Sequence, residues 1–347
     1  MSTFASDNYA GAHPQVVAAV AAANDGHAVA YGADRWSDRA EQLIRRELGE
    51  QAKAFFVFNG TGANVLALRA ACSPWGAVIC SQTAHLNMDE TGAPERVGGL
   101  KLLTTPTPDG KLVPDDVERL TDRLGDEHQA QAQLVSIAQS TELGTVYTPA
   151  EIRALADAAH AKGLLLHLDG ARLPMAAAAL DVPLRAITTD AGVDLLSFGA
   201  TKVGALGAEA VVILNPDRGL ADGMPYLRKQ SLQLASKGRF LAAQFVALLE
   251  DGLWHQLASH ANAMAARLAD AVRDLPGVEL TQQPQANAIF AKLPPEATRR
   301  LQERFRFYTW DFHTGEVRWM CAWDTQPAEV DAFAAAIRAE VSAAAAA

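Results

Sequence analysis

The chain has 347 residues, 49% hydrophobic and 20% charged, with a formal net charge of −10. That composition belongs to a globular protein with a large core and more than one domain, and its acidic balance argues against a general affinity for nucleic acid or anionic membrane. No stretch approaches the roughly 20 apolar residues of a membrane helix, and three cysteines without ligand spacing (Cys72, Cys80, Cys321) predict neither a disulfide framework nor a metal site.

The first residues lack a basic segment followed by an apolar run, so the cytoplasm is the expected compartment. Residues 4–12 read as a polar arm in which Asp7 or Asn8 makes local backbone bonds. Pro14 opens a helix to residue 24, and Ser37 reads as the cap of a helix running to about Leu48 after a loop at 31–36. Phe55–Phe58 is a strand, followed by Asn59-Gly60-Thr61-Gly62 and a helix at about Val65. A strand, a small-residue turn and a helix N-terminus can hold phosphate, because free N–H groups and the helix dipole face the anion. A tight turn into a capped helix explains the two glycines equally well. Val65 stands where the third glycine of a dinucleotide fingerprint would fall, and a P-loop lysine is missing.

A strand at 78–80 leads to His85, whose place past a strand end favours function over a structural role. Residues 86–96 read as loop with at most a short helix, 101–104 as strand, and Pro114 to about Leu124 as helix. Leu134–Ala138 is a buried strand, and Pro149–Ala161 a helix ended by Gly163. Two continuous apolar runs follow. Leu164–Leu168 stops at Asp169, and Leu195–Phe198 leads to Lys202. Such runs are strands buried on both faces of a parallel sheet, and ligands bind beyond their carboxyl ends. With a helix from Pro174 to about Leu180 and a strand at 210–214, the alternation predicts a doubly wound α/β domain.

Arg228, Lys237 and Arg239 form a basic cluster that reads as a solvated face in a monomer, before a long helical segment to about Arg273. Strand-like segments at 277–280, 288–291, 305–308 and 316–321, a helix at 295–304 and a last helix from Pro327 predict a smaller α+β unit. The expected organisation is an arm and helix at 1–30, a large α/β domain at 31–250 and a small domain at 251–347.

An aspartate and a lysine on successive strand ends, a phosphate-ready helix and a nearby histidine suggest pyridoxal phosphate. Lys202 would form the Schiff base, Asp169 would keep the ring nitrogen protonated, Gly60 and Thr61 would cradle the phosphate, and His85 would lie on the ring.

Seven short motifs then fall in one order: Ser6-Asp7-Asn8, Tyr31-Gly32, Asn59-Gly60-Thr61, Ala84-His85, Asp169-Gly170-Ala171-Arg172, Phe198-Gly199-Ala200-Thr201-Lys202 and the segment Val317 to Asp324. Through them the chain resembles, over nearly its whole length, the low-specificity L-threonine aldolases, including the L-phenylserine aldolase branch. These are fold-type I pyridoxal-phosphate enzymes with a mainly parallel sheet. The resemblance implies retro-aldol cleavage of an L-β-hydroxy-α-amino acid to glycine and an aldehyde. Arg172, Ser6 and Arg318 would hold the substrate carboxylate, Tyr31 would line the site, and His85, His128 or a water would be the base. It also implies a homodimer or homotetramer with shared active sites, in which Lys229 and Arg239 reach a neighbour's phosphate. The segment 228–239 and the loop 31–36 depart from the better-known branch, favouring the phenylserine type. A β-eliminating lyase or aminotransferase of the same fold is the alternative. A nicotinamide-dependent dehydrogenase or a non-catalytic α/β binding protein would lack the intrinsic colour of a lysine-bound cofactor.

Overall fold

Seven strands form the main sheet: Lys53–Val57 (β1), Gly76–Ser81 (β2), Lys101–Thr105 (β3), Gln131–Ala138 (β4), Leu165–Gly170 (β5), Leu195–Gly199 (β6) and Glu209–Ile213 (β7). The computed structural model describes residues 3–345. Across the sheet the order is β1-β7-β6-β5-β4-β2-β3. The pairs β2/β3, β2/β4, β4/β5 and β5/β6 are parallel, whereas β7 is antiparallel to both β1 and β6. The reversal has a simple cause. Residues 200–208 are too few for the crossover of a dozen or more residues that a parallel return requires, so the chain turns back beside β6.

Strands β2, β5, β6 and β7 are buried along their whole length. Alternation then divides their side chains between two apolar layers. Leu166, Leu168, Leu196 and Val212 enter one cluster with the helices Arg35–Leu48, Pro149–Ala161 and Arg239–Leu249. Leu165, Leu195, Val211 and Ile213 enter another with the helix Gly60–Ala71 on the opposite face. Each such leucine or valine contributes about 1.5–3 kcal/mol by leaving water. The expected mainly parallel, two-faced sheet is the one observed.

Several local expectations change. The cap of the second long helix is Asp34, not Ser37. The Asp34 carboxylate accepts from the N–H groups of Trp36 and Ser37 and from the Ser37 hydroxyl. A carboxylate at that position satisfies first-turn donors and meets the positive end of the dipole. The helix after β1 starts at Gly60, because Asn59 Oδ1 accepts from Gly62 N at 2.7 Å. The helix after Pro114 stops at Leu120. The long segment to 273 is two helices, Arg239–Leu249 and Leu253–Val272, separated at Gly252, where φ is +69°.

The second sheet has four antiparallel strands: Glu279–Leu280 (β8), Ala288–Lys292 (β9), Tyr308–Asp311 (β10) and Glu316–Met320 (β11), in the order β10-β11-β9-β8. Phe305 and Phe307, expected in a strand, instead precede β10 and are buried in this sheet's own apolar cluster. The arm forms the expected local turn, at Asp7–Tyr9 with Asn8 N donating to Ser6 Oγ, but it is also anchored at a distance. Phe4 is fully buried there, stacked on Phe333 at 4.4 Å, and its backbone bonds to Arg306 and Met320. That anchor carries Ser6 and Asp7 toward the main sheet.

The tips of β5 and β6 touch. A Cβ on Gly199 would lie 2.7 Å from Ala171 Cα and 2.9 Å from its carbonyl oxygen, and one on Gly170 would lie 2.8 Å from Ser197 O. The glycines beside Asp169 and before Lys202 are therefore set by backbone approach. Gly199→Ala is expected to destabilise the fold by about 1–3 kcal/mol, read as a lower urea midpoint at unchanged slope. A midpoint equal to that of the unaltered protein would show that the tips can separate freely.

Candidate active site

All the groups of interest reach one edge of the main sheet. β2, β4, β5 and β6 end there, and β7, being reversed, begins there: Glu209 pairs with both Val57 and Gly199. Two adjoining cavities open at this edge. One, of about 370 Å³, is lined by Ser6, His85, Glu142, Arg172, Lys202 and Arg318 together with aromatic residues of β10. The other, of about 240 Å³, is lined by Asn59, Gly60, Thr61, Thr201 and Glu209. Lys202 and His85 belong to both walls.

Asp169 is buried at the end of β5. Its Oδ1 accepts from Ala171 N at 3.0 Å and its Oδ2 from Asn64 Nδ2 at 2.8 Å. Burial opposes its ionisation, yet His85, the Ala171 N–H, Asn64 and Lys202 together hold its carboxyl below the usual carboxylate range. Asn64 Nδ2 also donates to Glu90 Oε1, which lies 2.9 Å from His85 Nδ1. Burial pushes the His85 pKa down, but the bond to Glu90 and the charges of Glu142, Asp169 and Glu90 outweigh it and raise it. The chain Asp169–Asn64–Glu90–His85 thus fixes the imidazole against the aspartate. Asn64 and Glu90 carry no motif that singles them out. Asn64 lies one turn into the helix whose first residues were read as a cradle, and only the folded chain shows it turned inward.

Lys202 sits on a single turn, Thr201–Val203, directly after β6, and has no ion pair among the described residues. Facing it, Gly60 and Thr61 open the helix Gly60–Ala71, whose first N–H groups have no intrahelical acceptor. A Cβ on Gly60 would meet nothing within 4 Å, so the approach to these donors is open. Gly62 is covered instead by the side chain of Gln233. Glu209, which the sequence reading passed over, is buried in the same wall. Burial pushes its carboxyl up to about 7, against hydrogen bonding to Thr201 and the charge of Lys202.

The two arginines differ. Arg172 is buried and paired with Asp7, Nε to Oδ2 at 2.7 Å and Nη2 to Oδ1 at 3.0 Å, and Asn287 supports the same carboxylate. Removing either partner from such a buried pair leaves an uncompensated charge, at a cost of about 3–5 kcal/mol. Most of the guanidinium fork expected to grip a ligand is therefore engaged by the arm. Arg318, 8% exposed on β11, has no carboxylate partner among the described residues. Its Nη2 donates to Ala5 O at 3.2 Å, its Nε has no acceptor, and the guanidinium lies 4.4 Å from the centre of the Trp310 ring. Burial and the charge of Arg172 lower its pKa. A buried cation with free donors, facing a cavity, is arranged for an incoming anion.

Four expected residues lie elsewhere. His128 is exposed just before β4 begins, whereas the site lies where β4 ends. Eight strand residues separate those edges by roughly 25 Å, so His128 is corrected to a surface residue. Tyr31, Lys229 and Arg239 line neither cavity. They gather on an outer face, with Lys229 Nζ 5.6 Å from the Tyr31 ring centre, Tyr31 N donating to Ser236 O and Arg239 donating to Gly26 O.

These groups fit pyridoxal phosphate: an ionised buried carboxylate for the ring nitrogen, a free lysine for the aldehyde, an open helix N-terminus for the phosphate and a braced imidazole between them. With the seven-stranded sheet, they define a pyridoxal-phosphate-dependent lyase of fold type I. The family described as Beta-eliminating lyase matches residues 3–294. A low-specificity L-threonine aldolase from Pseudomonas sp. (strain NCIMB 10558) is 45% identical over 342 residues, 98% of each chain. One from Pseudomonas aeruginosa is 44% identical over 337 residues, 96% of each. The structure of a threonine aldolase from Leishmania major superposes with a TM-score of 0.93 at 33% identity, over 98% of this chain and 100% of that one. The chain belongs to the low-specificity L-threonine aldolase family.

Proposed function

We propose that the protein cleaves L-β-hydroxy-α-amino acids, of the threonine, allo-threonine and phenylserine type, reversibly to glycine and an aldehyde. One observation carries the reading: a free lysine, an ionised buried aspartate and a buried arginine without a carboxylate partner meet at one sheet edge. The bound cofactor supplies an electron sink for the pair released at the substrate's Cα. Lys202 would hold it covalently, Asp169 would hold its ring nitrogen, His85 would cover the ring, and Gly60 and Thr61 would hold the phosphate. Arg318 binds the substrate carboxylate, helped by Ser6 and by the edge of Arg172 that Asp7 leaves free. Such a grip would fix the orientation of the substrate's Cα substituents before the bond breaks.

The cavity is also lined by Tyr308, Trp310 and Phe312, and this aromatic lining supports an aryl aldehyde and the phenylserine branch. Tyr31 is 52% exposed and Leu232 85%, on the face shared with Lys229 and Arg239. A second copy of the chain would bury that face, supporting a homodimer or homotetramer with shared sites. The helix Leu253–Val272 starts in the main core (Leu253 to Ala258) and enters the second from Met264, and the proposed boundary between large and small domains near residue 250 lies at its start. The cytoplasm is the proposed compartment. The cysteines are free, and no described helix is long and apolar enough to cross a membrane.

Incubation of the pyridoxal-phosphate-loaded protein with L-threonine and with L-phenylserine tests the reading. Glycine and the matching aldehyde in equal amounts support it. Ammonia and an oxo acid, the products of β-elimination, would replace it.

A further inference from the structure

Resting on that reading, we propose that Glu142 is the catalytic residue that takes the proton from the substrate's β-hydroxyl group. The histidine expected for this task, His128, sits at the wrong edge of the sheet. His85 has a different task in this reading, covering the cofactor ring, and the bond of its Nδ1 to Glu90 holds it there. Among the described residues Glu142 has no hydrogen-bonding or ionic partner for its carboxylate, unlike His85, held by Glu90, and Arg172, held by Asp7. It is half-buried, in the loop after β4, at the same edge as Lys202.

The loop presents it firmly. Thr141 and Thr145 bond through both hydroxyls (2.7 Å) and backbone, and Gly144 N closes on Thr141 O. Gly144 has φ +76°, and a Cβ there would sit 3.1 Å from the Phe290 ring. Glu142 lines the same cavity as His85, Arg172 and Arg318, the three groups that would frame the substrate, and its negative charge favours the charged form of each. The remaining acid of the cavity, Asp89, is exposed at the end of the short helix His85–Met88.

The step balances without an added reagent. The hydroxyl proton passes to a Glu142 oxygen as the Cα–Cβ bond breaks. The O–H pair becomes the second bond of the aldehyde carbonyl, and the pair of the broken bond remains with Cα. One proton then returns to Cα, giving glycine, so no proton is gained or lost. In the synthetic direction the protonated Glu142 delivers its proton to the new alkoxide.

The test is Glu142→Gln in the full-length, pyridoxal-phosphate-loaded enzyme, with two reactions measured. Release of aldehyde from L-threonine or L-phenylserine needs the base. Exchange of glycine's α-proton with deuterated water, followed by NMR, needs the cofactor, Lys202 and the carboxylate grip but no base at a hydroxyl. Cleavage is expected to fall about 10²–10⁴-fold, with glycine exchange and cofactor colour within about threefold of the unaltered enzyme. Cleavage retained within about threefold would overturn the assignment, as would an equal fall in both reactions, which would mark a structural role. The same selective loss in Asp89→Asn would move the base to Asp89 and also overturn it. If the unaltered enzyme releases no aldehyde, the aldolase reading itself fails. If it does and Glu142→Gln matches it, only this assignment fails.

Discussion

Replacing Asp169 by asparagine is expected to lower kcat/KM for aldol cleavage by about 10³-fold, the scale at which a positioned charge stabilises a transition state. Asparagine is nearly the same shape, and its Oδ1 can still accept from Ala171 N. Its amide cannot reproduce the rest. Where Oδ2 now accepts from Asn64 Nδ2 at 2.8 Å, an Nδ2 would face another donor. Rotating the Asn64 amide would cure that clash only by giving up its bond to Glu90, which braces His85. The variant should therefore lose the charge at the ring nitrogen and loosen the imidazole together, with circular dichroism unchanged. Activity within threefold of the unaltered enzyme would show that the carboxylate is not needed.

Arg318→Leu is expected to reduce kcat/KM by about 10²–10³-fold, mainly through KM, as when one partner of a buried charge pair is removed. The same change should cost little stability. A buried guanidinium without a carboxylate partner is itself unfavourable, and leucine removes the Nε that lacks an acceptor. What is lost is the Nη2 bond to Ala5 O and the stacking on Trp310, the latter about 0.5–2 kcal/mol. Low affinity with a near-unchanged Tm is the pattern of a residue kept for its ligand. Arg318→Lys should recover only part of the loss, because a point charge lacks the planar fork. Steady-state kinetics and thermal unfolding of the two variants settle the matter. An unchanged KM would remove Arg318 from the carboxylate site.

The parts legible in the sequence were those written in local pattern. The apolar runs ending at Asp169 and approaching Lys202 announce strands buried on both faces, and the sheet edge then follows from how such strands bind ligands. The turn Asn59–Thr61 is likewise local, and so are the proline-opened helices. What stayed hidden depends on partners far apart in the chain. Arg172 reads as a ligand grip until Asp7 arrives from the arm, and the arm is placed by Phe4 entering a core built from the far end of the chain. Asn64 and Glu90 gain meaning only as the bridge from Asp169 to His85. His128, expected from the resemblance, does precede β4, but the loops before and after a strand lie at opposite edges of a sheet, and the site is at the other one. Glu142 occupies the second of those loops.

The covalent anchor is the centre of this account, and it can be read directly. The protein loaded with pyridoxal phosphate is reduced with borohydride, digested and mapped by mass spectrometry. The account predicts one pyridoxyl-phosphate adduct, on Lys202, and none in Lys202→Ala. An adduct on a different lysine, or a reducible cofactor retained by Lys202→Ala, would contradict it.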